Sequence, residues 1–221
     1  PIIMLKGIAA SSGIAIAKVY KLEVPTMNIT DAKVEDAAAE VEKFKAAMAK
    51  TIADIEGIKE RATKAGKLSA EEIAVFDAHL MMAQDPMLAD EIVNMIQAEG
   101  VNAGYATQEV ANGMVAMFES MDSDYFRERA ADVKDVTFRL KANVLGVVVP
   151  DLGAITEDSV VVAHDLTPSD TAQLNEFAKG FATAIGGRTS HSAIMARSLE
   201  IPAVVGCTGI LEEAKHGDTI V

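Results

Sequence analysis

The sequence predicts an α/β domain assembled from two separated stretches of chain, with a large all-α helical bundle inserted between them. Three observations carry this prediction. Residues 1–24 and 147–221 hold short runs of Val, Ile and Ala punctuated by glycine, which is the texture of strands. Residues 28–146 instead repeat apolar side chains every three or four positions, as amphipathic helices do. The strand-like opening also needs a sheet to join, and the C-terminal stretch offers one.

Taken in order, the first twenty residues, ending in GIAIAKVY, predict one or two short strands. A long helix is expected from Asn28 or Thr30, because Val34, Val41, Phe44, Met48, Ile52 and Ile55 recur at helical spacing, and Gly66 ends it. Ser69 followed by Glu72 forms a capping-box pattern for a second helix carrying Ile73, Phe76, Leu80 and Met81. Asp85-Pro86 is a cap followed by proline at the first helical position, opening a third helix to Gly100. Asn102 caps a fourth, with Tyr105, Val110, Met114, Met117 and Phe118 as its apolar residues. A fifth runs from about Asp124 to Gly146. The period then changes to short apolar runs at 147–149, 160–163, 181–185, 202–206 and 219–221, alternating with helical patterns. The chain stops within the last of these runs, so it is expected to be a piece of something longer.

Composition narrows the function classes. The 33 acidic against 20 basic residues give a net charge of −13, with no surplus of Lys or Arg to neutralise nucleic-acid phosphates. Between Lys67 and Arg127 there is no basic residue at all, while eleven carboxylates from Glu71 to Asp124 fall inside, a one-signed field able to steer a basic partner. The same charges also describe an ordinary solvated helical surface. No apolar run is long enough to span a membrane and no secretory leader is recognisable, so a cytosolic protein is expected. The single Cys207 reads as a buried structural residue. His79, His164, His191 and His216 lack metal-ligand spacing, so no metal is expected in this chain.

Chemistry concentrates in GGRTSHSAIMARSLEIPAVVG, residues 186–206. A strand running into Gly186-Gly187, followed by a helix starting near Thr189 or Ser190, places a helix N-terminus at the glycines. Backbone N–H groups and the positive end of the helix dipole favour an anion there. Arg188 adds a cation suited to a phosphoryl group, and the hydroxyls of Thr189 and Ser190 add donors. A neutral imidazole at His191 has a ring lone pair and attacks phosphorus without a separate base. Spacing alone leaves a second reading open, in which Thr189 or Ser190 simply caps a helix and His191 is a surface histidine. A second polar cluster, HDLTPSDTAQL at 164–174, carries Thr167, Ser169 and Thr171; these reach the histidine only if the two strand-to-helix turns are neighbours in the sheet.

GGRTSHSAIMARSLEIPAVVG resembles the phosphohistidine signature of Enzyme I of the bacterial phosphoenolpyruvate-dependent sugar phosphotransferase system, found in looser form in pyruvate phosphate dikinase and phosphoenolpyruvate synthase. GIAASSGIAIAKVY, AVFDAHLMMAQDPML, ERAADVKD and DLTPSDTAQLN resemble Enzyme I as well, so the likeness covers nearly the whole chain. It implies an α/β phosphohistidine domain over 1–24 and 147–221 and a helical HPr-binding domain over 28–146. By this resemblance, His191 is phosphorylated at Nε2 from phosphoenolpyruvate and passes the group to the phosphocarrier HPr. Thr171 is the hydroxyl partner of the histidine, and Arg188, Gly186, Gly187, Thr189 and Ser190 surround the phosphoryl group. The positions of the HPr-binding surface fall on Glu72, Asp77, His79, Met81, Met82, Asp85 and Arg129. The family continues into a barrel that binds phosphoenolpyruvate and magnesium and forms a homodimer. A chain without it is expected to be monomeric and to exchange phosphate only with HPr. Two alternatives are a dikinase-type phosphohistidine domain and a non-catalytic helical interaction module.

Overall fold

The computed structural model describes residues 1–221. It is a mixed α/β structure whose chain divides into two compact units. Unit 1 comprises Pro1–Val24, Glu60–Ala70 and Pro150–Val221; unit 2 comprises Pro25–Lys59 and Glu71–Val149.

Unit 2 contains most of five helices: α1 (Ala37–Ala65), α2 (Ala70–Ala83), α3 (Pro86–Glu99), α4 (Ala103–Glu119) and α5 (Asp124–Leu145). The last residues of α1 count with unit 1. The bundle core is built from the expected faces, including Val41, Phe44, Ile55, Phe76, Ile92, Ile96, Val110, Val133, Val136 and Leu140. Chain reversals are marked by caps. Asp85 accepts from the Met87 amide at 3.0 Å, Asn102 from the Tyr105 amide at 2.8 Å, and Gly100 and Gly146 close their helices in the left-handed region that glycine adopts without strain.

Two expectations about elements fail here, each for a local reason. Helix α1 begins at Ala37, not at Asn28 or Thr30. Residues before it run extended beside the α3–α4 turn: Val34 donates its amide to Gly100, and the Asn102 side chain donates to the carbonyls of Thr30 and Ala32, so this backbone is satisfied without a helix. Asp36 then caps the helix by accepting from the Ala39 amide at 3.0 Å. The run Val147–Val149 is no strand. The Val147 amide closes the end of α5 on the Ala142 carbonyl, Val148 is 83% exposed, and Pro150 follows without a donor. In α4 the buried residues come from its first half, Ala103 to Ala111, while Met114 and Phe118 are half-buried and Met117 is exposed.

Unit 1 is a six-stranded sheet in the order β1 (Ile8–Ser11), β5 (Ala203–Val205), β4 (Ala178–Thr183), β3 (Ser159–Ala163), β2 (Ala17–Lys21), β6 (Thr219–Ile220). The four central strands run parallel, and the two edge strands are antiparallel to their neighbours. β3 is buried along its whole length, as a central parallel strand covered on both faces should be. One face packs Val161, Phe181 and Val205 with Ala193 and Ala196; the other packs Val19, Val162 and Ala182 with Cys207 and Ile210. The short helix α6 (Pro168–Ala172) follows β3, α7 (His191–Leu199) follows β4, and α8 (Ile210–Glu213) precedes β6.

Candidate functional site

β3 and β4 are adjacent and parallel, so the turns leaving their C-terminal ends lie side by side. Hydrogen bonds continue past the strands: the Ala184 amide donates to Ala163 at 3.1 Å and the Ile185 amide to His164 at 3.2 Å. The condition for the two polar clusters to meet is thereby satisfied, and the open end of a parallel sheet is where such folds take ligands.

His191 is the first residue of α7 and is half-buried. Ser190 caps the helix; its hydroxyl donates to the Gly187 carbonyl at 2.7 Å and accepts from the Ala193 amide at 3.4 Å. This ties the glycine turn to the helix start. Gly186 adopts φ +113°, a backbone conformation that favours glycine, although a Cβ there would meet Ser190 Oγ and the Val205 side chain only at 3.4 Å. Arg188 and Thr189 are exposed. The arrangement is a helix N-terminus with an imidazole at its first position and a guanidinium and hydroxyl on its rim, suited to a dianionic phosphoryl group.

Thr171 is fully buried in α6, which packs on α7. Its hydroxyl donates to the carbonyls of Pro168 at 3.1 Å and Thr167 at 3.3 Å. The proton is thus engaged by its own helical turn, which leaves the hydroxyl oxygen's lone pairs as acceptors. Two residues were not singled out from sequence. Arg197, one and a half turns along α7, donates to the carbonyls of Ala10 at 2.9 Å and Arg188 at 3.2 Å, bracing the turn before α7 against β1. Asp165, at the end of β3, has its carboxyl pKa raised by desolvation, opposed by the Leu166 amide and by the neighbouring imidazoles of His164 and His191. Asp165 stands in the quoted HDLTPSD cluster, but only the strand pairing shows that it belongs with His191.

In unit 2 the expected docking residues separate by helix face. Glu71, Ala74, Asp77, Met81 and Gln84 are exposed at successive three- and four-residue steps along and just beyond α2, and Asp85 next to Gln84 is exposed as well. Met81 is 75% exposed, Asp77 pairs with Lys59, and Asp85 is both exposed and engaged as the cap of α3. Glu72 and Met82 are half-buried. His79, expected among the contact residues, is 0% exposed. It falls at helical spacing from Phe76 and Ala83, on the inward face. Arg129 has a partly exposed side chain, paired with Asp132 at 2.8 Å.

No three His, Cys, Asp or Glu side chains converge as a metal-ion site. No helix is long and apolar enough to cross a membrane.

Residues 6–129 match the family model described as "PEP-utilising enzyme, N-terminal", and residues 155–221 match "PEP-utilising enzyme, mobile domain". The chain is 53% identical over 218 residues to the phosphoenolpyruvate-protein phosphotransferase of Bacillus sp. (strain S), and 50% identical to that of Bacillus subtilis (strain 168). Each alignment covers 98% of this chain but only 37% and 38% of the relative's length. Among solved structures, an NMR solution structure of Enzyme I superposes with a TM-score of 0.85 at 46% identity, covering 98% of this chain and 88% of that one. The N-terminal domain of Enzyme 1 - Nitrogen superposes at 0.64 and 26% identity, covering 92% and 83%.

Proposed function

Because the chain belongs to the family of PEP-utilising enzymes, we propose that it is the phosphohistidine-bearing part of a phosphoenolpyruvate-protein phosphotransferase. In this reading His191 takes a phosphoryl group on Nε2 and exchanges it with the phosphocarrier HPr. The observation that carries it is the placement of His191 as the first residue of α7, beside the glycine turn and at the open end of adjacent parallel strands.

In the forward reaction the imidazole lone pair attacks phosphorus, the bridging P–O bond of phosphoenolpyruvate breaks, and pyruvate leaves as its enolate. The first-turn amides of α7 and the Arg188 guanidinium supply positive potential where charge concentrates on the transferred group, the requirement for catalysing phosphoryl transfer. The return step forms a new N–P bond on the histidine of HPr while the His191 N–P bond breaks, so no proton need be lost by a hydroxyl nucleophile. The phosphoenolpyruvate site and its magnesium belong, in this proposal, to the part of the longer relatives that the chain does not span.

The exposed stripe of Glu71, Asp77, Met81 and Asp85, with Arg129, is proposed as the HPr-docking face. A stretch without Lys or Arg from residue 68 to 126 supports it, since a negative field draws a basic partner and raises its association rate. A cytoplasmic location accords with such a partner. That the curated relatives over 98% of the chain are phosphotransferases favours this over a dikinase.

The test is transfer of phosphate from phosphorylated HPr to the 221-residue chain, followed by phosphorus NMR. An acid-labile phosphohistidine signal is expected, and it should vanish in His191→Ala while HPr binding persists. Binding without transfer in the unsubstituted chain would leave a docking module and remove the catalytic assignment.

A further inference from the structure

His79 does no chemistry in this reading and touches no partner, yet it is a fully buried imidazole. Its ring stands edge-on to Phe76, with centroids 5.6 Å apart and planes at 78°. Nε2 lies 2.9 Å from Oδ1 of Asp132 on α5, and Asp132 is itself only 6% exposed. The second oxygen, Oδ2, forms an ion pair with Arg129 Nη2, 2.8 Å away and one helical turn back. One turn further back, the Tyr125 ring lies under the same guanidinium, 5.5 Å from its carbon.

These contacts form a chain with a direction. A buried carboxylate tolerates no unsatisfied oxygen without cost, so an Asp132 held only by Arg129 would turn toward it or toward water. His79 supplies the donor that holds Oδ1 from α2 and leaves Oδ2 aimed at Arg129. Nδ1 of His79 is buried without a partner, which places the ring hydrogen on Nε2, because a buried N–H with no acceptor costs more than a bare lone pair. The Arg129 side chain, 29% exposed, is then held from behind by Asp132 and from one side by Tyr125, while its Nε is buried without a hydrogen-bond partner.

We propose that His79 is a positioning residue of the docking face: through Asp132 it fixes where the Arg129 guanidinium is presented to an incoming partner's oxygen acceptors. The inference rests on the reading of this face as the HPr-binding surface. It replaces a direct contact by His79 with an indirect one, and it explains why a histidine stands at an inward position that an apolar residue would otherwise fill.

A double-mutant cycle tests it, with binding of unphosphorylated HPr to the 221-residue chain measured by calorimetry. His79→Leu should weaken HPr about five- to tenfold, in the range of coupling energies found for networked side chains. His79→Gln, whose amide reaches the Nε2 position, should recover most of the loss. In an Arg129→Ala background, His79→Leu should change affinity by less than about twofold, since residues acting as one unit are not additive. Equal losses in both backgrounds, or no recovery by Gln, would overturn the inference and leave His79 as packing. If His79→Leu does not fold, Asp132→Asn, which preserves volume, replaces it in the same cycle. Absence of HPr binding by the unsubstituted chain would instead sink the docking reading, a result separate from an additive cycle.

Discussion

Asp165 shows what strand pairing adds to a residue. Its carboxyl pKa is raised by desolvation at the end of β3, so ionisation is less favourable in the folded chain than in the unfolded one. For a carboxylate shifted in this direction, the contribution to stability is fully present below the ordinary aspartate value and is lost as pH rises through the folded value. Asp165→Asn keeps an oxygen for the Leu166 amide, now 2.8 Å away, and removes the charge. It should therefore raise the thermal unfolding midpoint at pH 7, with the gain fading as the solution is acidified toward pH 4; a gain independent of pH would refute this account. His191, Gly186 and Ser190 were legible in the sequence because turn, cap and nucleophile are consecutive. Asp165 and Arg197 were not, because their relevance depends on which strands are neighbours and on a carbonyl of β1 far away in the chain. Thr171 was legible as a cluster member, but where its hydroxyl donates is decided by a 3.1 Å contact within its own turn.

At the level of elements, caps were the most readable signals. Asp85-Pro86, Asn102, Ser190 and the glycines at 100 and 146 all mark ends where expected, since each satisfies orphan backbone groups with a residue type suited to the task. Apolar runs were less reliable. Val147–Val149 have strand composition but no neighbouring edge to pair with, and the periodicity that places Val34 on a helix is overruled by the Gly100 carbonyl, which takes its amide. The inward turn of His79 was hidden for a related reason: one position along a helix moves a side chain by 100°, so Asp77 and His79 do not share a face. Asp85 sits where capping and docking overlap, and two substitutions separate them. Asp85→Ala should destabilise the chain by about 1 kcal/mol in urea unfolding, the usual value of a lost N-cap. Asp85→Asn should keep the cap and weaken HPr binding through lost charge. If both variants unfold alike and bind alike, the carboxylate has neither separate role.

At the scale of the whole chain, the sequence reading of a discontinuous α/β part around a helical insert rests on one argument, that an opening strand pair needs a sheet. β2 does join that sheet, in parallel register with β3 from Lys18 opposite Ser159 to Lys21 opposite Val162. What composition did not reveal is that Glu60–Ala70, in the middle of the helical stretch, groups with unit 1. A parallel pair ordinarily needs a crossover of a dozen or more residues. Between β2 and β3 the crossover is residues 22–158, the helical insert with its flanking segments. This has a consequence for the order of folding. Closing an unstructured loop of that length costs about 2 kcal/mol more than closing a dozen residues, because the entropy grows with the logarithm of length. Helices held by local contacts form first and shorten the effective loop. In refolding followed by pulsed hydrogen exchange, amides of α3 to α5 should gain protection before those of β2 and β3; simultaneous protection would mean that the sheet nucleates without waiting. The β2–β3 pair would then be the last joint to close, so a synthesis or mutation that delays the bundle would leave the β2 edge of β3 unpaired and open to another chain.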